Sequence, residues 1–258
     1  MKLIEIMAAL ERTAPLRLQE EGDNSGLQVG FPEAEVSAVL VCLDITEAVI
    51  EEAAAKGCQL VLSHHPLIYR PLRQVSDATY QQRCVAKALS ASVALYSAHT
   101  CLDKAPGGVN HKMAELIGLQ DLRWLAPDEG EEAGFGLVGE LPVPEKDVDF
   151  LARVKRTFRV KALRHSIPDE RLVRRVAVCG GSGNSFLQEA IRAGVDCYVT
   201  GEFRYHDYFD NQGVLLAELG HYQSEQFTQD LLLDLLRKEF PSLHVEKTEL
   251  DTNPICYD

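Results

Sequence analysis

Apolar runs of four or five residues, each closed by a polar or glycine-bearing turn, alternate along this chain with segments of helical period. Residues 59–62 (Gln-Leu-Val-Leu) and 91–95 read as buried strands, because short apolar stretches bounded by Gly, Ser or Pro suit strands covered on both faces. The leucine-rich stretch 231–233 has the spacing of an amphipathic helix that begins near residue 221. Residues 39–65 and 176–202 carry one pattern twice and align without a gap at an offset of 137. Val39, Val41, Cys42, Glu52, Ala53 and Gly57 recur as Val176, Val178, Cys179, Glu189, Ala190 and Gly194. Each copy reads strand, polar turn, helix, glycine, strand, an order that calls for parallel strands joined by crossover helices. The pattern predicts an α/β protein of two similar α/β halves with mostly parallel mixed sheets. The acidic, glycine-bearing stretch 127–134, followed by Pro142 and Pro144, sets the boundary, with residues 1–126 in one half and 127–258 in the other.

Histidines and carboxylates gather at the ends of these elements. Ser63-His64-His65-Pro66 closes the first predicted strand, and imidazole is the commonest protein metal ligand. Neighbouring side chains on a regular strand point to opposite faces, so both rings reach one site only where the chain turns, and Pro66 supplies the turn. Tyr96-Ser97-Ala98-His99-Thr100-Cys101-Leu102-Asp103 closes the next strand with a histidine and, four residues on, a carboxylate. His221 and Glu225, four apart on a helix, share a face and can address one ion or form a solvated pair. If these segments converge, the helix carrying His221 lies against the first half, and the site occupies the cleft between halves, where small-molecule sites are usual.

The internal echo points to further groups. At the offset of 137, His64 and His65 correspond to Gly201 and Glu202, so Gly201-Glu202-Phe203-Arg204-Tyr205-His206-Asp207 stands at the equivalent strand edge. Glu202 and His206 are therefore expected to face the same cleft as positioning or proton-transfer groups, unless His206 and Asp207 cap local backbone. Cys179-Gly180-Gly181-Ser182-Gly183 offers bare backbone amides that suit an anion, or a tight turn passing close to a neighbour. It matches neither the P-loop nor the dinucleotide fingerprint. Its counterpart Leu43-Asp44-Ile45-Thr46 is expected to cap the following helix through Asp44 or Thr46. Asp23 and Asn24 either order the rim of the site or form an Asx-turn. Lys104 follows Asp103 and should turn outward unless it meets an anion.

Taken together, Asp23-Asn24-Ser25-Gly26-Leu27-Gln28-Val29-Gly30, Ser63-His64-His65-Pro66, Ser97-Ala98-His99-Thr100 through Gly107-Gly108-Val109-Asn110, Cys179-Gly180-Gly181-Ser182-Gly183, Thr200-Gly201-Glu202, Tyr205-His206-Asp207 and Thr252-Asn253-Pro254-Ile255 resemble one family. It is the dinuclear-metal-centre, hexameric-ring or NIF3-like family, whose members are often labelled GTP cyclohydrolase 1 type 2 homologs. The resemblance spans nearly the whole chain in the same order. It implies two metal ions held at His64, His65, Asp103, His221 and Glu225, with the glutamate bridging them. It also implies a homohexamer, a trimer of dimers around a central opening. Some relatives carry a large insertion between their halves; here only the short acidic stretch 128–132 stands in its place.

Charge narrows the partners. Thirty-nine acidic against 26 basic residues give a net charge of -13, which argues against nucleic acid because phosphate backbones need a basic surface. The arginines at 171–175 are interrupted by apolar residues and lead into a strand. Seven cysteines occur without a CxxC pair, several inside apolar runs, and read as small buried hydrophobes in a reducing compartment. The start, Met1-Lys2-Leu3-Ile4-Glu5-Ile6, is too charged for a signal peptide and no apolar stretch suffices for a membrane span, so a cytoplasmic protein is expected.

Three imidazoles and two carboxylates bring about -2 of charge to two divalent ions totalling +4, which favours water or an anionic, perhaps nucleotide-sized, small-molecule ligand. Five ligands leave open coordination positions, the mark of a catalytic centre, and nitrogen and oxygen donors suit zinc, iron(II) or manganese. The expectation is a metal-dependent hydrolase in which His99, Glu202 or His206 moves protons. The family label implies attack at a purine ring carbon of GTP, opening the ring and releasing formate. The alternative is a metal-stabilised, ring-shaped scaffold without turnover.

Overall fold

The computed structural model describes residues 1–130 and 132–257; Glu131, within the acidic stretch 128–132, and Asp258 lie outside the described residues. The strands are β1 (Gly26–Val29), β2 (Ala38–Cys42), β3 (Leu60–Ser63), β4 (Ala94–Ser97), β5 (Gln120–Pro127), β6 (Gly134–Lys146), β7 (Arg164–His165), β8 (Leu172–Cys179), β9 (Cys197–Thr200), β10 (Leu215–Glu218) and β11 (His244–Lys247). They form two mixed sheets, ordered β1-β4-β3-β2-β11 and β5-β6-β8-β9-β10-β7. Two compact units hold them, residues 1–105 with 227–254 and residues 106–226 with 255–258. This partition differs from the 126/127 boundary read from the sequence, and hydrogen bonding explains the difference. β5 pairs with β6 and so falls in the second unit, while β11 runs parallel to β2 and returns the end of the chain to the first.

In the first unit, β2, β3 and β4 are buried along their whole length. Their apolar runs are continuous because helices cover both faces. Helices Glu47–Ala55 and Tyr80–Ala91 place Val49, Ile50, Ala53, Cys84, Val85 and Ala88 against Leu40, Val61 and Leu95. Each starts at a threonine whose hydroxyl oxygen accepts a backbone N–H, Thr46 from Val49 at 3.2 Å and Thr79 from Gln82 at 3.3 Å. Thr46 thus fills the capping role, leaving Asp44 for other work. Helix Thr228–Glu239 packs on β2 and on helix Leu3–Thr13 through a buried face that includes Leu232 and Leu236.

In the second unit, the parallel triplet β8-β9-β10 is bordered by antiparallel neighbours, β6 on one side and the two-residue β7 on the other. Helix Leu187–Arg192 places Leu187 and Ala190 on Ala177, Tyr198 and Leu216. The predicted echo is present in the hydrogen bonding. β2 pairs with β3 through Val39 and Leu60, and β8 pairs with β9 through Val176 and Cys197, so the partners lie 21 residues apart in both units. A third parallel strand follows in each, β4 beside β3 and β10 beside β9. Each third strand leads to a five-residue helix, Thr100–Lys104 in one unit and His221–Glu225 in the other. The single helix expected from residue 221 is broken at Gln226–Phe227, and Thr228–Glu239 continues as a separate helix.

Six cysteines are buried and free, with Cys256 exposed. Burial pushes the Cys84 and Cys101 thiols up to about 11. Among the described residues, no helix is long and apolar enough to cross a membrane.

Leu62 lies wholly buried in β3, one residue before the Ser63-His64-His65 turn. Leu62→Ala should cost about 2–5 kcal/mol, read as a lower urea midpoint, while truncation of the half-exposed Leu89 should cost less than about 0.5 kcal/mol.

Candidate metal centre

In the first unit, the chain turns after Ser63 and delivers His64 and His65 to one place. The Ser63 hydroxyl donates to the His65 carbonyl at 2.8 Å, closing the turn around the histidine pair. His64 is fully buried and its Nδ1 lies 2.8 Å from the Ala98 carbonyl. A carbonyl only accepts, so Nδ1 carries the proton and a neutral ring has its lone pair on Nε2. His65 Nδ1 lies 2.7 Å from Asp44 Oδ1, and His99 Nδ1 lies 2.7 Å from Asp23 Oδ1. The three rings stand with centroids 4.9 to 5.5 Å apart, and one ligand atom from each lies within 4.8 Å of the others. Asp103 joins them from helix Thr100–Lys104, its Oδ1 3.6 Å from His64 Nε2. Imidazoles held through Nδ1 by oxygen, with Nε2 convergent, form the donor set that second-sphere anchoring builds for a divalent ion. These groups could hold a metal ion.

The anchoring carboxylates are themselves fixed. Asp44 also accepts from the Thr252 hydroxyl at 2.9 Å. Burial works to raise its carboxyl, but the hydrogen bond and charge of His65 prevail and it sits below the usual range. Asp23 shows the same contest in stronger form. Desolvation raises it, and His99, the Thr100 hydroxyl and the Asn24 amide together hold it far below the usual carboxylate range. Asp23 accepts from the hydroxyl of Thr100 at 2.5 Å and of Ser25 at 3.0 Å. Asn24 Nδ2 donates to the Ile68 carbonyl at 2.7 Å, so both residues order the surroundings of the histidines, as one of the two sequence readings has it. Lys104 pairs with Glu20 at 2.8 Å.

In the second unit, His221 and Glu225 share a face of their short helix as the spacing requires, with Nε2 and Oε2 3.3 Å apart. Glu225 is buried beneath the glycine turn. A Cβ at Gly181, where φ is +60°, would stand 2.5 Å from Glu225 Oε1 and 3.3 Å from His221 Nε2. A Cβ at Gly201 would stand 2.6 Å from Ser224 Oγ, so both positions need glycine for close approach. The amides of this turn are committed internally: Gly180 donates to Asn110 Oδ1 at 3.0 Å, Gly181 to Ser224 Oγ at 2.9 Å and Gly183 to Thr200 Oγ1 at 3.1 Å. Of the two sequence readings of this turn, the close-approach one describes it. Glu202 Oε1 lies 3.4 Å from His221 Nδ1 while its Oε2 accepts from the Ser182 hydroxyl at 2.6 Å. His206 stands apart from this group, on an exposed turn where its ring meets those of Tyr205 and Phe209. Asp207 caps that turn by accepting from the Arg204 amide at 2.7 Å. A pocket of about 520 Å³ opens beside His221 and Glu202, walled by Phe203, Arg204 and Tyr257.

The Duf34/NIF3 (NGG1p interacting factor 3) family profile matches residues 1–254 of this chain. A Lactococcus lactis protein named GTP cyclohydrolase 1 type 2 homolog is 36% identical over 263 residues, covering 100% of both chains. NIF3-like protein 1 of Drosophila melanogaster is 31% identical, with 98% of this chain and 88% of that protein covered. The crystal structure of a Bacillus cereus protein related to NIF3 superposes with a TM-score of 0.90 at 26% identity, covering 100% of this chain and 99% of that one.

A carboxyl held below its unfolded pKa of roughly 3.9 adds stability that is present above that pH and is lost as pH falls through the folded value. Asp23 is such a group. Urea unfolding of metal-free protein at pH 7, 5 and 3 should show stability dropping below about pH 4. Asp23→Asn should be less stable at pH 7 and lose less on acidification.

Proposed function

The chain belongs to the Duf34/NIF3 family, and from that premise we propose that it is a dinuclear metal-dependent hydrolase. The observation that carries this reading is the set of three imidazoles, His64, His65 and His99, each anchored through Nδ1 and offering ligand atoms within 4.8 Å of one another. In this reading His64, His65, Asp103, His221 and Glu225 hold two divalent ions, with Glu225 bridging. Zinc, iron(II) or manganese suits such nitrogen and oxygen donors. When bound, the ions supply a hydrolytic water acidified toward neutral pH and a positive field that draws in an anionic substrate.

The residues supply the rest. Ala98 and Asp44 fix the tautomers and ring directions of His64 and His65, which shortens the list of geometries the site must sample. His99, backed by Asp23, is arranged to take or return a proton at Nε2, with Asp23 stabilising the charged ring. Glu202, held by Ser182, positions the His221 ring. His206 contributes to substrate positioning from the rim of the second unit. The names of the relatives point to GTP as substrate, hydrolysed at a purine ring carbon with loss of formate. Assembly as a homohexamer follows from the family reading, and a reducing cytoplasmic setting accords with the free cysteines.

Purified protein should carry close to two metals per chain by elemental analysis. Loaded protein should consume GTP or a generic phosphoester, and activity should vanish with a chelator and with His65→Ala while the oligomer persists in sedimentation. Full metal occupancy without turnover on any of these substrates would leave the scaffold reading in its place.

A further inference from the structure

Between His65 and helix Tyr80–Ala91 the first unit carries residues 64–79 with no helix or strand. The second unit manages the equivalent crossover with less chain. β3 pairs with β4 through Leu60 and Ala94, 34 residues apart, whereas β9 pairs with β10 through Cys197 and Leu215, 18 apart. Irregular connections of this length in a compact unit are uncommon and tend to serve function.

The segment is nonetheless held in place. Leu67 is buried, and Ile68 and Leu72 pack on the core of the unit. Asn24 donates to the Ile68 carbonyl, and the Ile68 amide donates to Gln28 Oε1 at 3.2 Å. At the far end the Ser76 hydroxyl donates to Gln82 Oε1 at 2.5 Å. Between these anchors lies a pocket of about 700 Å³ whose lining includes Pro66, Tyr69, Arg70, Arg73, Tyr80 and Gln82. That volume is in the range of small-molecule sites. It begins one residue after His65, and the Tyr69 ring stands edge-on to His99 with centroids 6.2 Å apart.

Charge distinguishes the pocket. Elsewhere in this unit Lys2, Lys56, Arg83, Lys87, Lys104 and Lys247 all face carboxylates. Arg70 and Arg73 make no ion pair or hydrogen bond among the described residues, in a chain of net charge -13. Two unspent guanidinium groups on a pinned loop beside tyrosine rings form a receptor for phosphate oxygens and a planar ring.

We propose that this pocket binds a phosphorylated, ring-bearing small molecule, with Arg70 and Arg73 taking the phosphate oxygens and Tyr69 and Tyr80 flanking the ring. Calling that molecule the substrate rests on the hydrolase reading; the binding itself does not. The test is calorimetric titration of metal-loaded, full-length protein with GTP and with inorganic tripolyphosphate, beside the Arg70→Ala/Arg73→Ala and Tyr69→Leu/Tyr80→Leu variants. Wild type should bind both probes, more weakly as salt is raised. The arginine variant should lose about tenfold or more in affinity for both, at unchanged metal content. The tyrosine variant should weaken GTP alone. Failure of wild type to bind either probe, or unaltered binding by the arginine variant, overturns the proposal. Arginine-dependent binding without turnover would retire the hydrolase reading and leave the pocket standing.

Discussion

An imidazole offers a lone pair in a chosen direction only if something holds its other nitrogen, and the first unit is organised around meeting that requirement three times. A backbone carbonyl holds His64, and buried or half-buried aspartates hold His65 and His99. The acceptors are set by the sheet: Ala98 follows β4 and Asp44 follows β2, each at the carboxyl end of a parallel strand. Parallel strands send these ends to one edge, so the polar groups meet there while Val61, Leu62 and Leu95 stay in the apolar interior. An aspartate beside a histidine is favourable only while it stays ionised, and both aspartates are held below the usual range against the cost of burial.

The second unit reaches a comparable arrangement by other means. Its strand-end turn is glycine where the first unit has Asp44 and neighbours, and the absent side chains let Glu225 and His221 lie against bare backbone. One unit anchors its donors with hydrogen-bonding side chains, the other by contact with main chain, and the same parallel triplet with a short following helix serves both.

Much of this was legible in the sequence because it depends on local pattern. Buried parallel strands are uninterrupted apolar runs, the repeated strand-helix-strand order survives in six identities, and i,i+4 spacing predicts the shared face of His221 and Glu225. The α/β class and the family resemblance followed from these features, and the family and fold are as read. The anchors were not legible. Asp23 lies 76 residues from His99 in sequence, and Asp44 lies 21 from His65, so no spacing rule links them. Asp44 was read as a helix cap because a carboxylate before a helix has that statistical role, whereas Thr46 holds the cap and frees it. The break after Glu225 was invisible for a related reason. Gln226 and Phe227 are ordinary helix residues, and what separates the two helices is that they belong to different packed units.

The shared spacing of 21 residues between the first two paired strands of each unit has an evolutionary consequence. Sequence across these segments has drifted until few positions agree, yet neither crossover has gained or lost a residue relative to the other. An insertion there would slip the ladder by one and turn every apolar side chain of the strand to the wrong face. The second crossover is under no such restraint, because its length can grow outside the ladder. Descent from a duplicated ancestor would therefore leave two kinds of record in this chain, a conserved ruler in the first crossover and an open margin for novelty in the second.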